Sequence, residues 1–198
     1  MNAAEKYFRV YADFMKKTGE KPLTKKTFWE LVRKGNKTAM VLRNPDVRKR
    51  FRTFFRDHIE KEPYLQWDRP FPYSMQVLRT ARRRGARIFL VTVRRNRAAL
   101  LRQVRQDFMP YFEKVLVAPP HRDSGKNYLV KERLIKPFAV PGDIIVGDSH
   151  ADVRCGKNLK LVTVAVLSGM RNKNALATYA PDFIVRDIRS LKRLNVLP

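Results

Sequence analysis

Short apolar runs alternate with amphipathic stretches along the second half of the chain. The runs are continuous and rich in β-branched residues, which predicts strands buried on both faces of a parallel sheet. Their predicted bounds are 87–92, 114–117, 144–146, 161–166 and 183–185. Helical spacing is found at 74–84, at 97–106, from 124 or 125 onward, and at 172–179. Alternation of this kind predicts an α/β fold with a parallel sheet.

The first part of the chain predicts three amphipathic helices. The first spans residues 3–17, the second follows the N-cap residue Thr24, and the third follows Asn44, with a proline in its first turn. Their apolar residues are Tyr7, Tyr11, Phe14 and Met15, then Phe28, Leu31 and Val32, then Val47, Phe51, Phe54, Phe55 and Ile59. Several prolines predict a boundary near Pro72, which separates a helical unit at 1–72 from an α/β unit at 73–198.

Two carboxylates follow the predicted strand at 144–146. Asp148 comes just after its carboxyl end, and Asp152 lies near the start of the next helix. Open α/β sheets bind ligands at the carboxyl ends of parallel strands, and paired carboxylates suit a hard cation such as Mg2+. Asp148 and Asp152 are therefore predicted metal ligands. The alternative is structural, with Asp148 opening a turn and Asp152 complementing the helix dipole.

A hydroxyl and two lysines complete a candidate phosphate site. Thr92 ends the first predicted strand, and Lys126 and Lys131 lie on the predicted helix before the Asp148 strand. A hydroxyl donates to a phosphoryl oxygen, an ammonium group neutralises its charge, and acids hold Mg2+. Lys126 is preferred because it lies nearest the helix start. Arg94 and Arg95 follow Thr92 at the rim, as substrate-binding residues or as plain loop residues.

This ordered set resembles the haloacid dehalogenase (HAD) superfamily, in particular its phosphoglycolate-phosphatase-like members. Thr92 resembles the second motif, Lys126 or Lys131 the third, and residues 147–152 the fourth, with further matches at 111–115, 163–169 and 181–185. The resemblance implies a Rossmann-like core with a small helical cap. It also implies Mg2+-dependent hydrolysis of a small phosphate monoester through an aspartyl-phosphate. Asp148 is then a metal ligand, and Asp152 an outer ligand or an orienting acid.

One motif of that family has no counterpart. Its first motif, Asp-x-Asp-Gly-Thr, ends the first core strand, and no Asp-x-Asp occurs in this sequence. Nucleophile and general acid/base are therefore missing, and we expect hydrolysis to be weak at best. In the family sheet the first strand lies between the strands that end here at Thr92 and Gly147. We expect the gap to close by direct pairing, to be filled by a partner strand, or to cause aggregation.

The missing motif and the charge of the chain each add an alternative to the phosphatase. Its 198 residues include 43 Lys and Arg against 18 Asp and Glu, a net charge of +25. Such a charge predicts attraction to polyanions, and the segment 79–105 has ten arginines and no acid. Phe89 is the one aromatic residue there, so a base-stacking platform is lacking. The alternatives are a non-catalytic HAD-like binding protein and a basic nucleic-acid-binding module.

The cysteine content and the lengths of the apolar runs indicate the cellular compartment. Cys155 is the single cysteine, so an intramolecular disulfide is impossible, and its context predicts a small buried helix residue. No apolar run reaches the length of a membrane helix. Charged residues within the first helix, Glu5, Lys6 and Arg9, indicate that it is not a signal peptide. We expect a cytoplasmic protein that binds a small phosphorylated substrate and, at most weakly, polyanions.

Overall fold

The computed structural model describes residues 2–34, 44–104, 107–119 and 126–194. Its helices are α1 (Ala4–Lys17), α2 (Lys25–Arg33), α3 (Pro45–His58), α4 (Ser74–Arg83), α5 (Arg97–Gln103), α6 (Asn127–Ile135), α7 (His150–Asn158) and α8 (Lys173–Ala177). Its strands are β1 (Phe89–Thr92), β2 (Lys114–Val117), β3 (Ile144–Gly147), β4 (Val162–Val166) and β5 (Phe183–Val185). Short 3-10 segments are Tyr64–Trp67, Met109–Tyr111 and Ile188–Arg193. The predicted α/β order is confirmed; the predicted helix limits at 106 and at 124 or 125 lie outside the described residues.

Aromatic packing holds α1, α2 and α3 together. Tyr11 of α1 is fully buried and stacks on Phe28 of α2, with ring centroids 4.7 Å apart, and it meets Phe51 of α3 edge-on at 6.1 Å. Such ring pairs stabilise by about 0.5–1.5 kcal/mol beyond their buried area. Both predicted N-caps are confirmed, because the side chains of Thr24 and Asn44 accept backbone N–H groups in the first turns that follow them. These helices and the Tyr64–Trp67 segment form the helical unit.

Among the described residues, the strands pair in parallel and form two separate sheets. β1 pairs with β2 in one sheet, and β3, β4 and β5 form the other in that order. β4 has a neighbour on each edge and is buried from Thr163 to Val166. β1 and β3 are each paired on one edge, and none of their residues is fully buried. Burial of these strands therefore follows the number of paired edges.

The two sheets separate where the missing strand was expected. Val91 of β1 and Ile145 of β3 pack against one apolar cluster, which consists of Ile135, Cys155 and Leu161. This cluster holds β1 and β3 in one layer, although no described residues join them by strand hydrogen bonds. Of the three expected outcomes, direct pairing does not occur in the described part of the chain.

Helices cover both faces of the sheet layer. The cluster around Cys155 includes residues of α6 and α7, and Val77 of α4 packs with Val164 and Leu191 in a second cluster. Cys155 is completely buried, as predicted, and burial raises the pKa of its thiol to about 11. The thiolate is the reactive form of cysteine, and the raised pKa keeps the Cys155 thiol protonated. Cys155 therefore serves as a core residue. Within the described residues, no helix combines the length and the apolar character that crossing a membrane requires.

Candidate active site at the ends of β1 and β3

The carboxyl ends of the strands face the helical unit. Arg94, which follows β1, forms an ion pair with Asp68, the residue after the Tyr64–Trp67 segment. Beyond β4, the Arg171 guanidinium donates to the carbonyl oxygen of Val32 in α2 at 2.7 Å. Contacts on both sides therefore hold the helical unit over the strand ends, where ligands bind in α/β sheets.

The Asp148 carboxylate is positioned by the loop that follows β4. Its Oδ2 accepts the N–H of Met170 at 2.9 Å. Gly169 permits this approach, because a Cβ at that position would overlap the Asp148 carboxylate. Asp148 is only half-buried. A carboxylate is thus fixed at the carboxyl end of β3 while part of it stays accessible.

Asp152 is buried in the first turn of α7, and both of its oxygens are engaged. Oδ2 accepts the N–H of Ser149 at 3.1 Å and its hydroxyl at 2.7 Å, which completes a capping box. Oδ1 forms an ion pair with Lys131 of α6. Gly147 lies so close that a Cβ there would overlap the Asp152 carboxylate. Asp152 therefore fixes the turn after β3 and the lysine beside it.

The two candidate lysines occupy different environments. The Lys131 side chain is 14% exposed and contacts Asp152. Lys126 is exposed, and it is the N-cap residue of α6, with no side-chain hydrogen bond to that helix. The reason is helical geometry, because Lys131 lies inside α6 where that helix packs against α7, whereas Lys126 precedes the first turn. The arrangement favours Lys131, the alternative of the sequence analysis, over Lys126.

The segment after β1 contacts the helical unit. Thr92 accepts the N–H of Arg94 on its Oγ1 at 3.2 Å, which leaves its hydroxyl proton for another acceptor. The Arg94 guanidinium is engaged by Asp68, and the Arg95 N–H donates to the Glu60 carboxylate at 3.0 Å. Both arginines, predicted at the rim, thus hold the helical unit against the strand end.

Comparisons with known proteins agree with this architecture. Residues 140–191 match the sequence model of the HAD-hydrolase-like family. A predicted phosphatase from Clostridium acetobutylicum superposes with a TM-score of 0.75 at 14% identity, covering 97% of this chain and 91% of that one. A haloacid dehalogenase-like family hydrolase from Streptococcus pneumoniae gives 0.74 at 14% identity, with 97% and 91% covered. Residues 140–191 are thus similar in sequence to this family, and the whole chain is similar in fold to these two structures.

A third solved structure is similar in fold to this chain over nearly its whole length. A predicted phosphoglycolate phosphatase from Haemophilus somnus superposes with a TM-score of 0.67 at 14% identity, covering 98% of this chain and 92% of that one. A search of curated proteins found no match. Identities this low establish the fold alone. The resemblance to the HAD superfamily and the fold class predicted from the sequence are confirmed.

Sequence reasoning missed two buried residues beside the candidate site. Lys6 Nζ lies 2.6 Å from Asp68 Oδ2, and both side chains are buried. In the described part of the chain, Asp68 Oδ1 has no hydrogen-bond partner. Burial, followed by repulsion from Arg94, lowers the pKa of Lys6 to about 7. A signal was present, because Lys6 lies at four-residue spacing on the apolar stripe of Val10 and Phe14, where a charge needs a partner.

Tyr7 of α1 also lies near the candidate site. Burial raises the pKa of its hydroxyl, and the negative charge of Asp148 raises it further, whereas Arg94 opposes the change. Its ring packs against Phe55 with centroids 5.0 Å apart. The residue was predicted only as part of the apolar face of its helix. The structure brings it within electrostatic reach of the strand ends.

The two carboxylates of the candidate site suit Mg2+ binding only in part. In proteins, Mg2+ is commonly bound through one or two carboxylates, with water and substrate phosphate completing its octahedron. Asp148 fits this role because it is a partly accessible carboxylate, whereas both oxygens of Asp152 are occupied. Among the residues with described positions, no group of three or more His, Cys, Asp or Glu side chains forms a fuller site. The set therefore fits one direct ligand and one orienting acid.

Proposed function

We propose that the chain is a HAD-type phosphohydrolase that binds a small phosphate monoester together with Mg2+. The observation that supports this most is the position of Asp148 at the end of β3, next to the turn fixed by the Lys131–Asp152 pair. A carboxylate and an ammonium group at the carboxyl ends of parallel strands suit the binding of a metal and a phosphate. The HAD-like fold, shared with the phosphatases named above, supports the reaction class.

Each residue of the site has a separate proposed role. Asp148 would hold Mg2+, which supplies positive charge beside the phosphoryl group. Thr92 would donate its hydroxyl hydrogen to a phosphoryl oxygen, as a fixed donor does in electrostatic stabilisation. Lys131 would neutralise charge on the phosphate, and Asp152 would hold Lys131 and the turn after β3 in place. Lys126, exposed at the start of α6, takes no part in this proposal.

The helical unit would restrict the substrate. We propose a cap of residues 1–72 over a core of residues 73–198. The ion pair of Arg94 with Asp68 holds the cap beside β1, and the hydrogen bond of Arg171 to Val32 holds it beside β4. A cap closed in this way excludes water and admits small ligands.

The described residues supply no nucleophile for the reaction. The sequence contains no Asp-x-Asp, and no described strand lies between β1 and β3. Covalent phosphoryl transfer requires an activated nucleophile. We therefore propose that the chain as written binds the phosphate monoester and hydrolyses it weakly at best, since binding and electrostatics leave only residual catalysis in other enzymes.

Titration with p-nitrophenyl phosphate, with and without Mg2+, tests both parts of the proposal. We expect saturable binding that Mg2+ strengthens, with turnover far below the usual enzyme range of about 1–10³ s⁻¹. Asp148→Asn should weaken the Mg2+-dependent binding by about tenfold or more. Asp46→Asn, at an exposed acid in α3, is the matched control and should change nothing. Turnover at ordinary rates would disprove the missing nucleophile, and Mg2+-dependent binding that survives Asp148→Asn would disprove the metal ligand.

A further inference from the structure

Helix α4 and the 3-10 segment Ile188–Arg193 share one outer surface of the molecule. The Arg189 guanidinium lies over the Tyr73 ring at the start of α4, with its Cζ 4.4 Å from the ring centroid. Leu191 packs with Val77, which lies one turn further along α4, in one apolar cluster. The two segments therefore run side by side, and their outer sides form a continuous surface.

Three acids beside this surface each act on an arginine. Glu113 accepts two hydrogen bonds from Arg87 at 2.7 and 2.6 Å, and Asp187 accepts two from Arg189 at 2.9 and 2.6 Å. Asp143 likewise acts on Arg87. Across the described ranges, the other exposed cations of α4, its C-cap and the 3-10 segment form no ion pair. We call these cations the α4 basic face: Arg79, Arg82, Arg83, Arg84, Lys192 and Arg193.

The charged end of α4 is separate from the candidate active site. β1 carries the chain toward the helical unit, since Arg94 after its carboxyl end pairs with Asp68 there. α4 ends at Arg83 and β1 begins at Phe89, so the end of α4 lies near the amino end of β1. Arg83 and Arg84 thus lie at the opposite end of the sheet from the proposed phosphate site, and that site does not account for their charge.

Two aromatic rings border the α4 basic face where α4 begins. Phe71 and Tyr73 stack with ring centroids 5.3 Å apart and an interplanar angle of 7°, and both residues are half-buried. The sequence predicted no base-stacking platform, because Phe89 is the one aromatic residue of the segment 79–105. The structure brings a pair of partly exposed rings to the arginines from outside that segment.

Arginines and exposed rings together fit a single-stranded nucleic acid. Five of the six cations of the face are arginines, whose planar guanidinium groups match phosphate oxygens bidentately. Exposed ring surface suits unpaired bases, because a base can stack on an aromatic side chain. We propose that the α4 basic face binds single-stranded nucleic acid, with its cations on phosphates and with Phe71 and Tyr73 against a base. The inference does not depend on the proposed phosphatase.

The probe is a fluorescein-labelled oligothymidylate of about 12 nucleotides, a length that small single-strand-binding domains cover. Fluorescence anisotropy is measured between about 0.05 and 0.2 M salt, beside a duplex of the same length. We expect a Kd of about 1–100 µM at about 0.15 M salt, and binding of the single strand at least about threefold tighter than that of the duplex. With about six phosphate contacts, log K should fall against log salt concentration with a slope no steeper than about −4.

Three charge-matched double variants locate the binding surface. Each replaces two exposed cations: Arg83→Gln with Arg84→Gln, Lys192→Gln with Arg193→Gln, and, as the control in α3, Lys49→Gln with Arg52→Gln. Each of the first two variants removes two cations from the face, so it should weaken binding and flatten the salt slope by about 1.4. The control removes the same charge from elsewhere on the surface and should leave both the affinity and the slope unchanged.

Phe71→Leu tests the contribution of the rings. It should weaken single-strand binding at least about fivefold without changing the salt slope, because stacking releases no counterions. Should that variant fail to fold, the preference of the unaltered chain for the single strand over the duplex decides. Absent binding at about 0.05 M salt, equal losses in the α3 control, tighter binding of the duplex, or tighter binding to phosphatidylserine vesicles than to the oligonucleotide would each overturn the proposal.

Discussion

Lys131→Met removes the cation from a nearly buried ion pair. The side chains of Lys131 and Asp152 are 14% and 7% exposed, so solvent cannot replace the lost contact. Removing one partner of a buried pair costs about 3–5 kcal/mol. The lower end of this range applies, because Asp152 keeps the Ser149 N–H and hydroxyl, at 3.1 and 2.7 Å, and its place at a helix N-terminus. We therefore expect a loss of about 3 kcal/mol in the free energy of unfolding.

Lys126→Met is the matched control for this substitution. Lys126 is exposed and makes no side-chain hydrogen bond to α6, so its replacement should change stability by no more than about 0.5 kcal/mol. In a chain of this size a loss of about 3 kcal/mol lowers Tm by about 6–12 °C. Circular dichroism melts and urea titrations of both variants, beside the unaltered chain, measure the difference.

A double variant identifies the origin of the effect. Adding Asp152→Asn to Lys131→Met removes the unpaired charge, so part of the lost stability should return, with a coupling of about 1–3 kcal/mol. Equal melting of Lys131→Met and Lys126→Met would refute the buried pair. Additive losses in the double variant would show that Lys131 acts through packing of its alkyl chain instead.

Two further predictions concern Asp148 and Lys6. Gly169→Ala should displace the Asp148 carboxylate, because the added Cβ would overlap it. The variant should bind phosphate more weakly in the presence of Mg2+, as measured by calorimetry, and should lose about 1–3 kcal/mol in the free energy of unfolding. Unchanged binding would contradict the placement of Asp148. The pKa of Lys6 is about 7 in the folded chain, which is below its value in the unfolded chain. Above pH 7 the unfolded chain therefore binds more protons than the folded chain does. The free energy of unfolding should consequently rise from pH 7 toward pH 10. Urea titrations should show this rise reduced in Lys6→Met, and equal slopes would contradict it.

The order of helices and strands was determined by the sequence itself. Continuous, β-branched apolar runs favour strands of a parallel sheet, and the strands Lys114–Val117 and Phe183–Val185 have their predicted limits. The N-caps at Thr24 and Asn44 depend on neighbouring residues alone. The position of Asp148 just after β3 was predicted for the same reason, because it follows from the neighbouring residues alone.

The choice between Lys126 and Lys131 required the tertiary structure. Both residues follow the same predicted strand, and distance from the helix start favoured Lys126, whereas Lys131 is the lysine that contacts Asp152. Contact depends on which side of α6 packs against α7, and that side is set by the cluster of Ile135, Cys155 and Leu161. Local spacing contains no information on that choice.

The pairing of the buried charges and the separation of β1 from β3 also depended on the tertiary structure. Lys6 and Asp68 are 62 residues apart in the chain and meet only because α1 and the Tyr64–Trp67 segment pack together. Arg94 is of a residue type that commonly binds anionic ligands, but its guanidinium forms an ion pair with the Asp68 carboxylate. The absence of an Asp-x-Asp predicted a missing strand, whereas the structure alone showed that β1 and β3 stay apart, because shared packing on α6 and α7 holds them in place without hydrogen bonds between them.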